Sequence, residues 1–295
     1  MVLSRRTVRS LALKVIGPSA AGYIRKHFRP HLVSVSEYRM KMQGMKGLEI
    51  GGPSQVLASD GPLPLYDVFD SLDNCLYSAQ TIWTGDVFVD SAFRYHPQKK
   101  PGKQFICEAT SLVTPCTNYD CVIASHCLEH LANPLLALTE WRRVLKQDGI
   151  LLLVLPHKDG TFDWRRRVTP LSHMIEDYEN NVGEDDLTHL EEILSLHDLQ
   201  RDPGAGTIEA FRERCQANYK YRAIHHHVFN TLTALELVNH AGFRILRADC
   251  LLPFHIFVLA SRDSEVPTRQ LPLDTLQVLA TSPFRSDRVL SRRFA

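Results

Sequence analysis

Two apolar runs on either side of an amphipathic helix constrain this chain most. Tyr119-Asp120-Cys121-Val122-Ile123-Ala124-Ser125 and Ile150-Leu151-Leu152-Leu153-Val154-Leu155 have strand length and almost no polar alternation, the pattern of parallel strands covered on both faces. Between them, helical periodicity begins after Asn133-Pro134 and puts Leu135, Leu138, Trp141, Val144 and Leu145 near one face. Lys146, Gln147, Asp148 and Gly149 close it with a basic, glycine-terminated end. Strands and helices alternating at this length imply a parallel sheet with helices on both faces.

The same alternation extends upstream. Gly47-Leu48-Glu49-Ile50 is apolar and strand-like, then breaks into Gly51-Gly52-Pro53-Ser54. Glycine lets a ligand approach the backbone, and proline at a first helical position gives up an N–H that would be unpaired anyway, so strand, tight turn and helix start fit here. Asp70 follows Glu49 at about the 20-residue offset at which doubly wound domains present an acid to ribose hydroxyls. Asp67 and Asp73 are rivals for that role. Gln104 to Thr110 reads as a third strand ending in Glu108.

These residues resemble a known family. EIGGPS at 49 to 54, CEAT at 107 to 110, YDCVIASHCLEHLANP at 119 to 134 and EWRRVLKQDGILLLVLPHK at 140 to 158 look like the class I SAM-dependent methyltransferases, in the broad subgroup with "LEH" and "RVLKPGG" segments. Thr231 to Ile245 resembles that family's last helix and the "AGF" start of strand six. The likeness covers roughly half of the 295 residues. It implies an α/β fold: a Rossmann-like, seven-stranded, mostly parallel sheet sandwiched by helices, with an insertion after strand five. It implies S-adenosyl-L-methionine as cofactor, with Glu49, Gly51 and Gly52 around its methionine part, Asp70 on the ribose, Glu108 and Ala109 flanking the adenine, and Ser125 with His126 facing the methyl group. The chain departs from the pattern after Gly51, where another glycine is usual: it is one residue short there or carries Pro53, which offers no backbone donor. The missing third glycine also argues against NAD.

Length and a 44% hydrophobic content allow one enlarged domain with a large core. The expected division is a basic N-terminal helical segment at 1–43, the methyltransferase domain at 44–260 with an insertion at about 159–224, and a C-terminal tail at 261–295 without fixed structure from Ser282 onward. A net charge of +1 gives no reason to expect nucleic acid. The seven cysteines contain no CxxC pair and read as reduced core residues of a cytoplasmic protein. The first 36 residues hold seven Lys or Arg and no acid. That segment reads as a solvated helix covering the sheet, a helix on an anionic membrane face, or a transit peptide; no run is long enough to span a bilayer. Nothing in the sequence sets the oligomeric state.

The insertion is rich in acids and histidines, including His173, Asp177, Asp186 and His189, and leads into His225-His226-His227; the chain has 14 histidines in all. His173 and Asp177, spaced i to i+4, can present two ligands on one helical face. No HExxH or closed zinc spacing appears, so no metal ligand is assigned and a divalent ion is not expected.

The implied chemistry is methyl transfer to an oxygen or nitrogen of a small-molecule or saccharide acceptor. The sulfonium already makes the methyl electrophilic, so the protein must align the acceptor, exclude water and take a proton from a hydroxyl. His126, after the fourth strand, is the first candidate base, His157 the second and His226 the third; His130 reads as a structural donor. A metal-dependent hydrolase using the His/Asp cluster and a non-catalytic SAM-binding module are the alternatives.

Overall fold

The computed structural model describes residues 32–81, 85–86, 92–113, 118–262 and 274–294. The basic residues of the first segment, up to Arg29, lie outside the described residues, and so does the expected membrane contact.

An eight-stranded sheet organises the chain. Its strands are β1 (Lys46–Ile50), β2 (Ser71–Leu76), β5 (Ala92–Phe93), β6 (Gly102–Ile106), β7 (Tyr119–Ser125), β8 (Leu145–Pro156), β9 (Phe243–Leu251) and β10 (His255–Arg262), in the order β5-β6-β2-β1-β7-β8-β10-β9. The short β3 (Gln80–Thr81) and β4 (Gly85–Asp86) form a separate pair. From β6 to β8 the pairing is parallel, and β10 runs antiparallel to both β8 and β9. The α/β Rossmann-like expectation is met, with eight strands rather than seven. Gly102-Lys103 at the free edge of β6 pairs antiparallel with Ala92-Phe93 and adds the extra strand.

β1, β7 and β8 lie in the middle because their side chains are apolar on both faces. Leu48, Ile50, Val122, Ala124, Leu151 and Leu153 pack under α2 (Pro134–Val144) and α7 (Thr231–His240). Cys121, Ile123, Leu152 and Val154 pack on the other side with Tyr38 and Met42 of α1 (Val35–Met42) and with Leu57 and Phe69. Gly47 is required between these layers, since a Cβ there would lie 2.7 Å from Leu72 and 2.8 Å from Cys121. Asn133 caps α2 by accepting from the Leu136 N–H at 3.0 Å. The helix stops at Val144, and Leu145, expected on its apolar face, already begins β8. Asp148, with φ 62, makes the left-handed turn assigned to Gly149.

Between β8 and α7 lie α3 (Leu171–Glu179), α4 (Leu190–Leu196), α5 (Ile208–Gln216) and α6 (Asn218–Tyr221), with a small core of Ile193, Leu194, Phe211, Cys215 and Ile224. The C-terminal tail is a correction. It folds as α8 (Thr275–Thr281) and α9 (Arg285–Phe294), held down by Asp287, which is fully buried. No helix among the described residues is long and apolar enough to cross a membrane.

Candidate functional site

Parallel strands end together, and here their carboxyl ends open into a cavity of about 900 Å³. Gly51 after β1, Tyr77 after β2, Glu108 and Ala109 after β6, and Ser125 with His126 at the end of β7 form one wall. Phe162, Arg201, Arg222 and His225 of the long segment before α7 face them.

The glycine loop is held from beneath. Gly51 has φ +79, and its N–H donates to the Cys75 carbonyl at 2.8 Å. The Asn74 side chain grips Gly52 twice, accepting from its N–H at 2.9 Å and donating to its carbonyl at 3.0 Å. Ser54 N–H is taken by Glu49 at 3.1 Å and Tyr66 Oη at 2.5 Å. With Pro53 lacking a hydrogen, amides 51, 52 and 54 have no donor left for a phosphate. Ser54 and Gln55 side chains face the cavity instead, and Ser54 Oγ donates to Ser125 Oγ at 2.9 Å.

Glu49 and Gly52 therefore support the loop rather than line the cavity. Glu49 is fully buried, and burial pushes its carboxyl up from 4.5 to about 7, against the hydrogen bonds from Tyr66 and the Ser54 N–H. A group whose folded pKa is raised contributes stability below its unfolded value and loses it as pH rises through the folded value. Glu49→Gln is thus expected to flatten the fall in stability between about pH 4.5 and 7 and to stabilise the protein at pH 8 by on the order of 3 kcal/mol. Urea melts of both forms across that range check it, and parallel pH profiles would refute it.

Asp70 is a correction. It precedes Ser71, which pairs with Lys46 at the start of β1, so it sits at the amino end of the sheet, the length of a strand from the cavity. Its rivals fare no better: Asp67 pairs with Arg39 at 2.7 Å, and Asp73 accepts from Tyr119 Oη at 2.9 Å. Tyr77 occupies the cavity end of β2, its hydroxyl donating to the Lys220 and Tyr221 carbonyls at 3.2 Å each. Arg222, 5% exposed and with φ 50, binds Glu108 at 2.8 Å and Glu184 at 2.6 Å, tying the insertion to the end of β6.

His126 is the histidine best placed for chemistry. It follows β7 with φ 52, a left-handed conformation uncommon for a non-glycine residue, and lines the cavity. Its Nε2 is 2.9 Å from His255 Nδ1, and its Nδ1 is 3.5 Å from Glu129 Oε1. Burial pushes the neighbouring His255 down to about 3, so that ring is neutral. For Glu129, burial alone would raise the carboxyl; the hydrogen bond from His126 and electrostatics with the neighbouring imidazoles outweigh it, and the group is held below its usual range.

His157 and His226 do not reach the cavity. His157 is wholly buried; its Nδ1 accepts from the Asp159 N–H at 3.1 Å and its Nε2 meets Asp287 at 3.1 Å. His226 is 1% exposed, and burial takes its ring down to about 3, with Nε2 3.1 Å from Asn218 Nδ2. Its neighbour His225 is the member of the triplet that lines the cavity, with Nδ1 2.6 Å from Asp163. Burial lowers that imidazole, but the Asp163 charge and hydrogen bond outweigh it and hold it above its usual value. Glu129, His130 and His225 bring one donor atom each within 4.8 Å of one another, and so do His173, Asp177 and His227. The i to i+4 pair does share a face, His173 Nε2 lying 3.6 Å from Asp177 Oδ2.

Residues 87–153 match a family model described as a methyltransferase domain. Among solved structures, the chain is similar to a SAM-dependent methyltransferase from Methanosarcina mazei, at 16% identity and TM-score 0.44, covering 80% of this chain and 100% of that one. It is also similar to a SAM-dependent methyltransferase from Aquifex aeolicus, at 15% identity and TM-score 0.41, covering 85% and 97%. A third, from Mesorhizobium loti, has 11% identity and TM-score 0.43, covering 78% and 98%. No curated protein sequence matches the chain.

Sequence reasoning missed Tyr77, Arg222, His255 and His225 as cavity residues. Tyr77 follows Ser71-Leu72-Asp73-Asn74-Cys75-Leu76, half of it polar, which hides the buried strand; the others come from segments more than 100 residues away from the glycine loop.

Proposed function

We propose that the protein is a SAM-dependent methyltransferase acting on a hydroxyl of a small molecule or saccharide. The observation that carries this reading is the opening of a tightly supported glycine turn and His126 into one cavity at the carboxyl edge of the sheet. When bound, the cofactor would supply an electrophilic methyl group. Gly51 with the Ser54, Gln55 and Ser125 side chains would take its methionine end, and Tyr77, Glu108 and Ala109 its nucleoside. The absence of donors from amides 51, 52 and 54 disfavours a pyrophosphate there and suits a nucleoside without phosphates.

His126 would take the acceptor's proton at Nε2. With Nδ1–H turned to Glu129, Nε2 carries the lone pair; the acceptor hydroxyl would replace His255 Nδ1, 2.9 Å away, as its partner, and the carboxylate stabilises the cation that forms. Arg201 and Asp202, on the insertion side, give the acceptor region polar character suited to a hydroxylated ligand.

Calorimetric titration with SAM and S-adenosylhomocysteine tests the cofactor. Micromolar binding is expected, weakened about tenfold or more by Gly52→Ala, because a Cβ there would lie 2.3 Å from the Glu49 carboxyl carbon, which has no room to withdraw. Asp70→Ala should bind like the parent. A folded protein that binds neither ligand ends the proposal.

A further inference from the structure

We infer that Glu129, His130 and His225 form a site for one borderline divalent transition-metal ion, such as Zn²⁺ or Fe²⁺, inside the same cavity. All three line it, each offers one donor atom, and the three atoms lie within 4.8 Å of one another. Two imidazoles with one carboxylate on one side of an open cavity are the donor set for such ions, whereas Mg²⁺ and Ca²⁺ favour sites built from oxygen alone.

The second observation is the state of the carboxylate. Glu129 is 1% exposed, yet its Oε2 has no hydrogen-bond partner, while Oε1 faces His126. A buried carboxylate oxygen with no donor is costly, and a cation is the partner that would remove the cost.

The surroundings of the two histidines are those of metal ligands. His225 Nδ1 is held by Asp163 at 2.6 Å, and Asp163 is fixed in turn by Arg166, itself buried, at 3.2 Å. His130 Nδ1 meets the Ile224 carbonyl at 3.0 Å. Both contacts place the hydrogen on Nδ1 and the lone pair on Nε2, as the outer partners of metal-bound histidines do. The other cluster also holds buried unpartnered atoms, Asp177 Oδ2 and His227 Nδ1, but its third member, His173, has Nε2 engaged with His189 at 2.9 Å, and its residues do not line the cavity.

Glu129 would connect the two parts of the site, one oxygen toward the ion and the other toward His126. An acceptor hydroxyl bound to the ion would then be presented next to the base; this last step rests on the methyl-transfer reading, while the ion site does not.

The test uses the full chain, stripped with a chelator and titrated with Co²⁺ as a spectroscopic probe. One equivalent should bind with visible absorption bands and be displaced by Zn²⁺. Elemental analysis after Zn²⁺ loading and desalting should give one zinc per chain, lost in Glu129→Gln and His225→Ala and kept in His173→Ala. No Co²⁺ binding to the folded wild-type protein overturns the inference without reference to any variant. Zinc lost in His173→Ala but kept in His225→Ala overturns it in favour of the other cluster. SAM binding is measured on the same samples, so failure of the ion site and failure of the cofactor site are read separately.

Discussion

His126→Ala is expected to abolish most methyl transfer while leaving SAM affinity within about threefold of wild type. General bases contribute roughly 10²- to 10⁴-fold, so kcat on any hydroxyl acceptor the wild-type protein methylates should fall by that factor. His126 contacts Glu129 and His255 rather than the glycine loop, which is the reason for the split between turnover and binding. His255→Ala should cost less, about tenfold, since it removes a partner that orients the base and not the base itself. Turnover by His126→Ala within a factor of three of wild type would move the proton to another group. Parallel loss of SAM binding would instead show a structural role.

The central sheet was legible because burial on both faces writes itself into sequence as runs such as Ile150 to Leu155. Local geometry hid other parts. The interval from Glu49 to Asp70 has the length that usually spans a helix and the whole of strand two, but here residues 52–70 pack mostly as turns. The offset therefore landed at the beginning of β2 instead of its end. His126, His157 and His226 looked alike in sequence, each close to the end of an apolar segment or the start of one. Only their contacts, with His255 for the first, Asp287 for the second and Asn218 for the third, separate them. The C-terminal tail was illegible for another reason. The buried positions of α9 are Asp287 and Ser291, so the helix docks with polar residues and gives no hydrophobic period.

Asp287→Ala is therefore expected to be the most destabilising single substitution in that tail. The Asp287 carboxylate accepts from four donors: His157 Nε2 at 3.1 Å, Thr231 N–H at 3.3 Å, Thr231 Oγ1 at 2.5 Å and Ser282 Oγ at 2.6 Å. Burial would raise the carboxyl, but the hydrogen bonds from His157, Ser282 and Thr231 outweigh it and hold the group below its usual range, so it is charged at neutral pH. Alanine would leave these donors unpaired in the interior, at a cost of about 3–5 kcal/mol in all, each unsatisfied buried donor costing roughly 1–3 kcal/mol. It would also free α9 from the start of α7 and from His157, whose ring stacks on Phe284 with centroids 3.9 Å apart. Thermal melts should show a midpoint lower by roughly 10 °C. His157→Ala should destabilise as well, and the double variant should cost less than the sum, because both remove the same contact. At low temperature the surviving folded fraction should bind SAM and turn over normally, since neither residue reaches the cavity. Full stability in Asp287→Ala, or loss of turnover in folded His157→Ala, would contradict a purely structural pair.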